Sequence, residues 1–197
     1  MNNSLHRTRA QKIALIALMT ATIEGGKLAL AYIPNVEIVT LLIGVFSFSF
    51  GLAGIAATYF FVAIECLIWG INTWVATYVI YWPSVAIVFA ILGRYGVRNR
   101  LIATACAVTL TAFFGVLSSL VDTGLLTGFF KDFWKRFSII YVRGIVFYVI
   151  QAVCNFALFL GIFRPAVDFI DRVCPNKFKI RKAVNRKLNE NDLRPNQ

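Results

Sequence analysis

The stretch that decides the fold runs from residue 10 to residue 37, AQKIALIALMTATIEGGKLALAYIPNVE. In it Ala10, Ala14, Ala17, Ala21 and Gly25 recur at steps of four, three, four and four, which keeps them on one face of a helix. A face without bulky side chains lets a second helix approach closely, the usual basis of helix association in lipid. The run ends in an elbow, Tyr32-Ile33-Pro34-Asn35-Val36-Glu37. There Pro34 breaks the helix, while Asn35 and Glu37 set hydrogen-bonding groups beside the next apolar span.

Composition extends this reading to the whole chain. It is 59% hydrophobic and 15% charged, with a mean hydropathy of +0.73, against an apolar share of about 45–50% in soluble domains. The fold expected is an all-α integral membrane protein of about six transmembrane helices, over residues 13–33, 36–50, 52–71, 75–92, 101–126 and 137–163. A transmembrane barrel would show apolar alternation, and none is present. The second span is short and must tilt or sit against its neighbours, and Gly51 and Gly54 mark a tight turn into the third. The chain thus divides into a basic leader (1–12), a six-helix membrane domain (13–163) and a basic tail (164–197).

Basic residues set the orientation. Arg7, Arg9 and Lys12 precede the first span, and Arg94, Arg98 and Arg100 join the fourth to the fifth. The tail carries Arg172, Lys177, Lys179, Arg181, Lys182, Arg186, Lys187 and Arg194. With six spans all three clusters fall on one side, which the positive-inside tendency makes cytoplasmic, so both termini are expected inside. Lys131, Lys135 and Arg136 run against this, with only Asp132 to offset them. Dispersed among membrane loops, the net charge of +11 suits lipid headgroups and argues against a nucleic-acid partner. The first span is too long for a secretory signal and lacks a convincing small-residue cleavage site, so it is expected to be retained.

Several chemistries lack their residues. Cys66, Cys106 and Cys154 lie in apolar spans and Cys174 in the tail, without the paired spacing of a metal or redox site. The single histidine, His6, lies in the leader. No metal site and no catalytic residues are expected, and without a lysine-bearing nucleotide loop the chain itself hydrolyses no ATP. An enzyme using Glu24, Glu65 or Asp122 as acid or base would need a base or metal ligand at the same depth. An ion-coupled carrier would use the same charges as a path, but internal inverted symmetry is not evident.

Polar groups inside the spans then become informative, since a charge near the bilayer centre costs about 2.5–3.5 kcal/mol or more unless paired or hydrated. Glu24 and Lys27, three residues apart, can pair with each other. Glu65 is more isolated, and Arg143 is one partner that would explain it. Arg143, Phe147, Gln151 and Asn155 recur every fourth residue as a polar-aromatic stripe, with Tyr148 beside it. Trp69, Asn72, Trp74, Tyr78, Tyr81 and Trp82 crowd the third-to-fourth connection ahead of Pro83. Such rings also anchor helices at interfaces, but together with Asn35 and Glu37 they suggest an outward-opening pocket. The expected solute-binding set is Asn35, Glu37, Glu65, Trp69, Asn72, Trp74, Tyr78, Arg143, Tyr148, Gln151 and Asn155.

These residues resemble a known family. The size, the six spans, the Ala17-x-x-x-Ala21 pattern extended to Ala10 and Ala14, and the elbow Ile33-Pro34-Asn35-Val36-Glu37-Ile38-Val39-Thr40 leading into Leu41-Leu42-Ile43-Gly44 are similar to the S components of energy-coupling factor (ECF) vitamin transporters, over residues 10–163. The closest likeness is to the cobalamin-specific S components of lactobacilli. The resemblance implies a multi-pass subunit of the bacterial cell membrane that binds a vitamin from outside. It would dock through Ala10, Ala14, Ala17, Ala21 and Gly25 onto a transmembrane T component driven by two cytoplasmic ATPases, which use ATP and magnesium. In that family the S component is thought to topple in the membrane, gated by the connections that map here to residues 33–37 and 72–82. Cobalamin is the substrate this likeness favours; Asn35, Asn72, Gln151 and Asn155 with Trp and Tyr walls would suit its amides and apolar faces. Relatives that take riboflavin, folate, queuosine or pantothenate are the alternatives.

Overall fold

A computed structural model describes residues 2–33, 36–70, 72–129 and 131–174. Among them the chain is helical throughout, with no strand. The order is α1 (Asn2–Ala29), α2 (Val39–Phe50), α3 (Leu52–Trp69), α4 (Thr73–Tyr95), α5 (Arg100–Thr127), α6 (Phe133–Leu158), a π-helical turn (Phe159–Phe163) and α7 (Arg164–Val173). Four helical stretches are long and apolar enough to cross a membrane: Leu52–Trp69, Thr73–Tyr95, Arg100–Leu126 and the continuous run Phe133–Val173. The last helix therefore continues ten residues beyond the end of the sixth expected span, through the start of the basic tail.

The short second helix is the axis of the bundle. All of α2 except Leu42 and Phe46 is buried, with α1, α3, α4, α6, the π turn and α7 packed around it. Its length is possible because it lies inside the protein. Gly51 turns the chain from α2 into α3 at φ +57°, a conformation that a Cβ would strain. At Gly93 of α4 a Cβ would sit 2.0 Å from the carbonyl oxygen of Phe48, so glycine is what lets α4 cross α2 this closely. Nearby, Phe89, Phe159 and Phe163 pack ring to ring with centroids 5.2–5.6 Å apart and Phe48 edges onto Phe163 at 5.4 Å.

Two expected boundaries shift for local reasons. The connection between α3 and α4 is confined to residues 70–72, because Asn72 caps α4: its Oδ1 accepts from the Val75 N–H at 3.0 Å. Trp74, Tyr78, Tyr81 and Trp82 consequently stand on the first turns of α4 instead of in a loop. Pro83 is accommodated within α4, where it is buried, although it removes one helical donor.

The sixth helix is polar inwards and apolar outwards. Gln151 and Asn155 are the buried residues of α6, while its Val142, Val146, Val149, Val153 and Phe156 are exposed. The connection between α4 and α5 is tied to α7, since Arg98 donates to Asp168 at 3.1 Å and pairs with Asp171. Ile170 and Cys174 also pack with Leu15 and Ile16 of α1 around Met19, Phe50 and Ala57. The α4–α5 connection, the end of α7 and the first half of α1 thus meet about the C-terminal end of α2.

Candidate functional site

The opposite end of α2 gathers the polar residues of the spans. Lys27, in the last turn of α1, is ion-paired with Glu65 of α3, whose side chain is fully buried. The Lys27 ammonium also lies 5.7, 5.2 and 5.4 Å from the ring centroids of Trp69, Trp74 and Tyr78. Residues 74, 78 and 82 share one face of α4 by their four-residue spacing, so Trp74, Tyr78 and Trp82 form a ladder of edge contacts 5.2–5.4 Å apart. An ammonium set against three rings and a buried carboxylate is an ion pair reinforced by cation–π attraction. Lys27 thus joins Glu65 in preference to its neighbour Glu24, and Arg143 is exposed on α6, away from Glu65. Both carboxylate oxygens of Glu24 are buried with no hydrogen-bond partner.

A second network is centred on Glu37, just ahead of α2. Glu37 Oε2 accepts from the Thr40 N–H at 2.9 Å, and Oε1 accepts from the Thr40 hydroxyl at 2.5 Å and from Asn155 Nδ2 at 2.9 Å. Asn155 Nδ2 also donates to Thr111 Oγ1 at 3.0 Å. One carboxylate therefore ties the start of α2 to α5 and α6.

Between the two networks lies a cavity of about 290 Å³, lined by Lys27, Leu30, Ala31, Ile33, Val36, Glu37, Val39, Tyr78, Trp82, Phe114 and Gln151. Three residues of the expected binding set, Glu37, Tyr78 and Gln151, face it directly. Asn155 stands behind Glu37, and Glu65, Trp69 and Trp74 hold Lys27. The others do different things. Asn72 is engaged as a helix cap and donates to the Trp69 carbonyl at 3.4 Å, and Tyr148 bonds to Ser119 at 3.0 Å in the α5–α6 contact. Arg143 is exposed, and Asn35 and Pro34 lie outside the described residues.

The expected polar stripe on α6 divides for a geometric reason. At 3.6 residues per turn a step of four overshoots by about 40°, so three steps from Arg143 to Asn155 rotate the face by about 120°. Gln151 and Asn155 reach the interior, while Phe147 is half exposed. Lys27, Thr40, Thr111 and Phe114 join the site without a sequence pattern marking them. Thr111 also donates to the Ala107 carbonyl, the ordinary way a hydroxyl is satisfied within a helix, which makes such residues look neutral.

The small-residue face of α1 is uncovered. Ala10, Ala14, Ala17, Ala21 and Gly25 are all exposed, and a Cβ built at Gly25 meets no atom within 4 Å. Ala17, Ala21 and Gly25 line one wall of an apolar groove of about 750 Å³ whose other wall includes Phe60 and Ile64 of α3.

All four cysteines are free, and no group of residues suited to hold a metal ion occurs among the described residues. No family model, no curated protein and no solved structure matches this chain at a significant level.

Proposed function

We propose that this chain is the solute-binding membrane subunit of an importer, crossing the bilayer about six times with both termini on the cytoplasmic side. Within that class it is the S component of an ECF-type vitamin transporter, docking on a T component whose two ATPases supply the energy. The observation that carries the reading is the exposure of all five small residues on α1. Internal packing does not account for their size, whereas a partner helix arriving at that face does.

Three further features support it. The outward apolar and inward polar surfaces of α6 are the pattern of a helix solvated by lipid. The expected basic clusters at Arg98 and Arg172 lie toward one end of α2, and the cavity lies at the other. The cavity combines apolar walls with a few convergent polar groups, as solute sites do. Its 290 Å³ lies just below the range of about 300–1,000 Å³ for ligand pockets, and cobalamin, the substrate the sequence favours, would need the α1–α2 and α3–α4 connections to part.

Reconstitution tests this function. The chain alone should bind its vitamin without accumulating it, and ATP-dependent uptake should appear when the T component and both ATPases are added. Accumulation by the chain alone, driven by an ion gradient, would make it a secondary carrier and refute the assignment.

A further inference from the structure

The end of the bundle around the cavity has unequal charge. Glu37 and Glu65 contribute two carboxylates there, and among the described residues Lys27 is the ammonium placed with them. Lys27 is already committed to Glu65 and to the three rings around it.

Glu37 is placed differently, because it lines the cavity and none of the ion pairs among the described residues reaches it. Its partners, the Thr40 N–H, the Thr40 hydroxyl and the Asn155 amide, are neutral donors that orient the carboxylate without cancelling its charge. They occupy three of its roughly four lone-pair positions, which leaves an acceptor site open. The N-terminus of α2 offsets only about half an elementary charge.

The walls beside Glu37 are the rings of Tyr78, Trp82 and Phe114, whose faces attract cations. The position left open therefore calls for a solute with a cationic donor for Glu37 and a body that packs against these rings.

We propose that the solute is a small planar organic cation, with its positive group on Glu37 and its ring against the aromatic wall. This rests on the solute-binding reading above and narrows it, because anionic vitamins such as pantothenate and the large, amide-rich corrinoids fall outside the class.

The test uses the full chain purified in detergent, with binding followed by calorimetry and tryptophan fluorescence. The cationic probes are thiamine, whose charge is fixed, and 7-aminomethyl-7-deazaguanine. The latter has a neutral twin in 7-cyano-7-deazaguanine, while pantothenate serves as the anion and cobalamin as the large solute. At least one cation should bind, and about tenfold or more tighter than the neutral and anionic probes, the contribution of one charge-assisted hydrogen bond. Glu37→Gln should erase that preference.

The proposal is overturned if no cation binds, if a neutral or anionic probe binds as tightly, or if Glu37→Gln keeps the preference. Should Glu37→Gln fail to fold, the wild-type comparison between the charged and neutral twins decides the matter alone. The importer reading fails separately, by failure to assemble with a T component and ATPases. A chain that assembles with them yet prefers cobalamin or pantothenate overturns the charge class and leaves the importer standing.

Discussion

Replacing Lys27 with methionine isolates the contact of one ammonium with a buried carboxylate and three rings. Methionine keeps most of the side chain's length and removes its charge, leaving Glu65 fully buried beside Glu24 with no cation. Breaking a buried pair by removing one partner costs about 3–5 kcal/mol, because the remaining charge is stranded. Loss of the attraction to Trp69, Trp74 and Tyr78 adds up to about 2 kcal/mol at a desolvated site. The expected loss is therefore about 3–7 kcal/mol by these two contributions. In the double variant Lys27→Met/Glu65→Leu no stranded charge remains at residue 65, so most of that loss should be recovered even though the pair is gone. Equilibrium unfolding by SDS in mixed micelles, followed by helical circular dichroism, measures all four corners of the cycle, including Glu65→Leu alone. A Lys27→Met protein as stable as the wild type would refute the reasoning. So would a double variant no more stable than Lys27→Met, since it would mean that Glu65 was never dependent on its partner.

Two further outcomes follow from other contacts. Ala17→Leu and Ala21→Leu add bulk to an exposed face, so each variant should melt within about 0.5 kcal/mol of the wild type and bind solute normally, yet fail to co-purify with the T component; retention of the complex would show that another surface docks. Asn72→Ala removes the cap of α4 and should cost about 1 kcal/mol of stability, read by the same SDS titration, with solute affinity unchanged; a loss of affinity without loss of stability would return Asn72 to the binding set.

The helices were legible in the sequence because a backbone in lipid must bond to itself, which makes each long apolar run a helix. The course of Leu52–Trp69 and Arg100–Thr127 follows the expected spans to within two residues. Spacing also revealed the exposed face of α1, since 3.6-fold periodicity is a local property. The partners of charged groups were not legible, because they depend on how distant helices are placed. Glu65 finds Lys27 across 38 positions and Glu37 finds Asn155 across 118, and nothing in the flanking residues indicates either. The role of Asn72 was hidden for a different reason: an amide at a helix start serves equally well as cap or ligand, and only the position of the Val75 N–H separates the two.

The π-helical turn at Phe159–Phe163 acts on the rest of the last helix as a phase correction. Gln151, Asn155, Phe159, Phe163 and Val167 are all buried at successive intervals of four, a run that an uninterrupted α-helix would carry about 160° around its axis. The wider turn takes in roughly one more residue per revolution, delaying that rotation so that the helix below the amides still presents its aromatic and aliphatic residues to α2. Closing this turn to α-geometry with all five residues kept would swing everything beyond it by about 100°. Asp168 and Asp171 would then leave Arg98, so the alignment of the far end of the bundle is set by the count of residues in one turn more than by the identity of any of them.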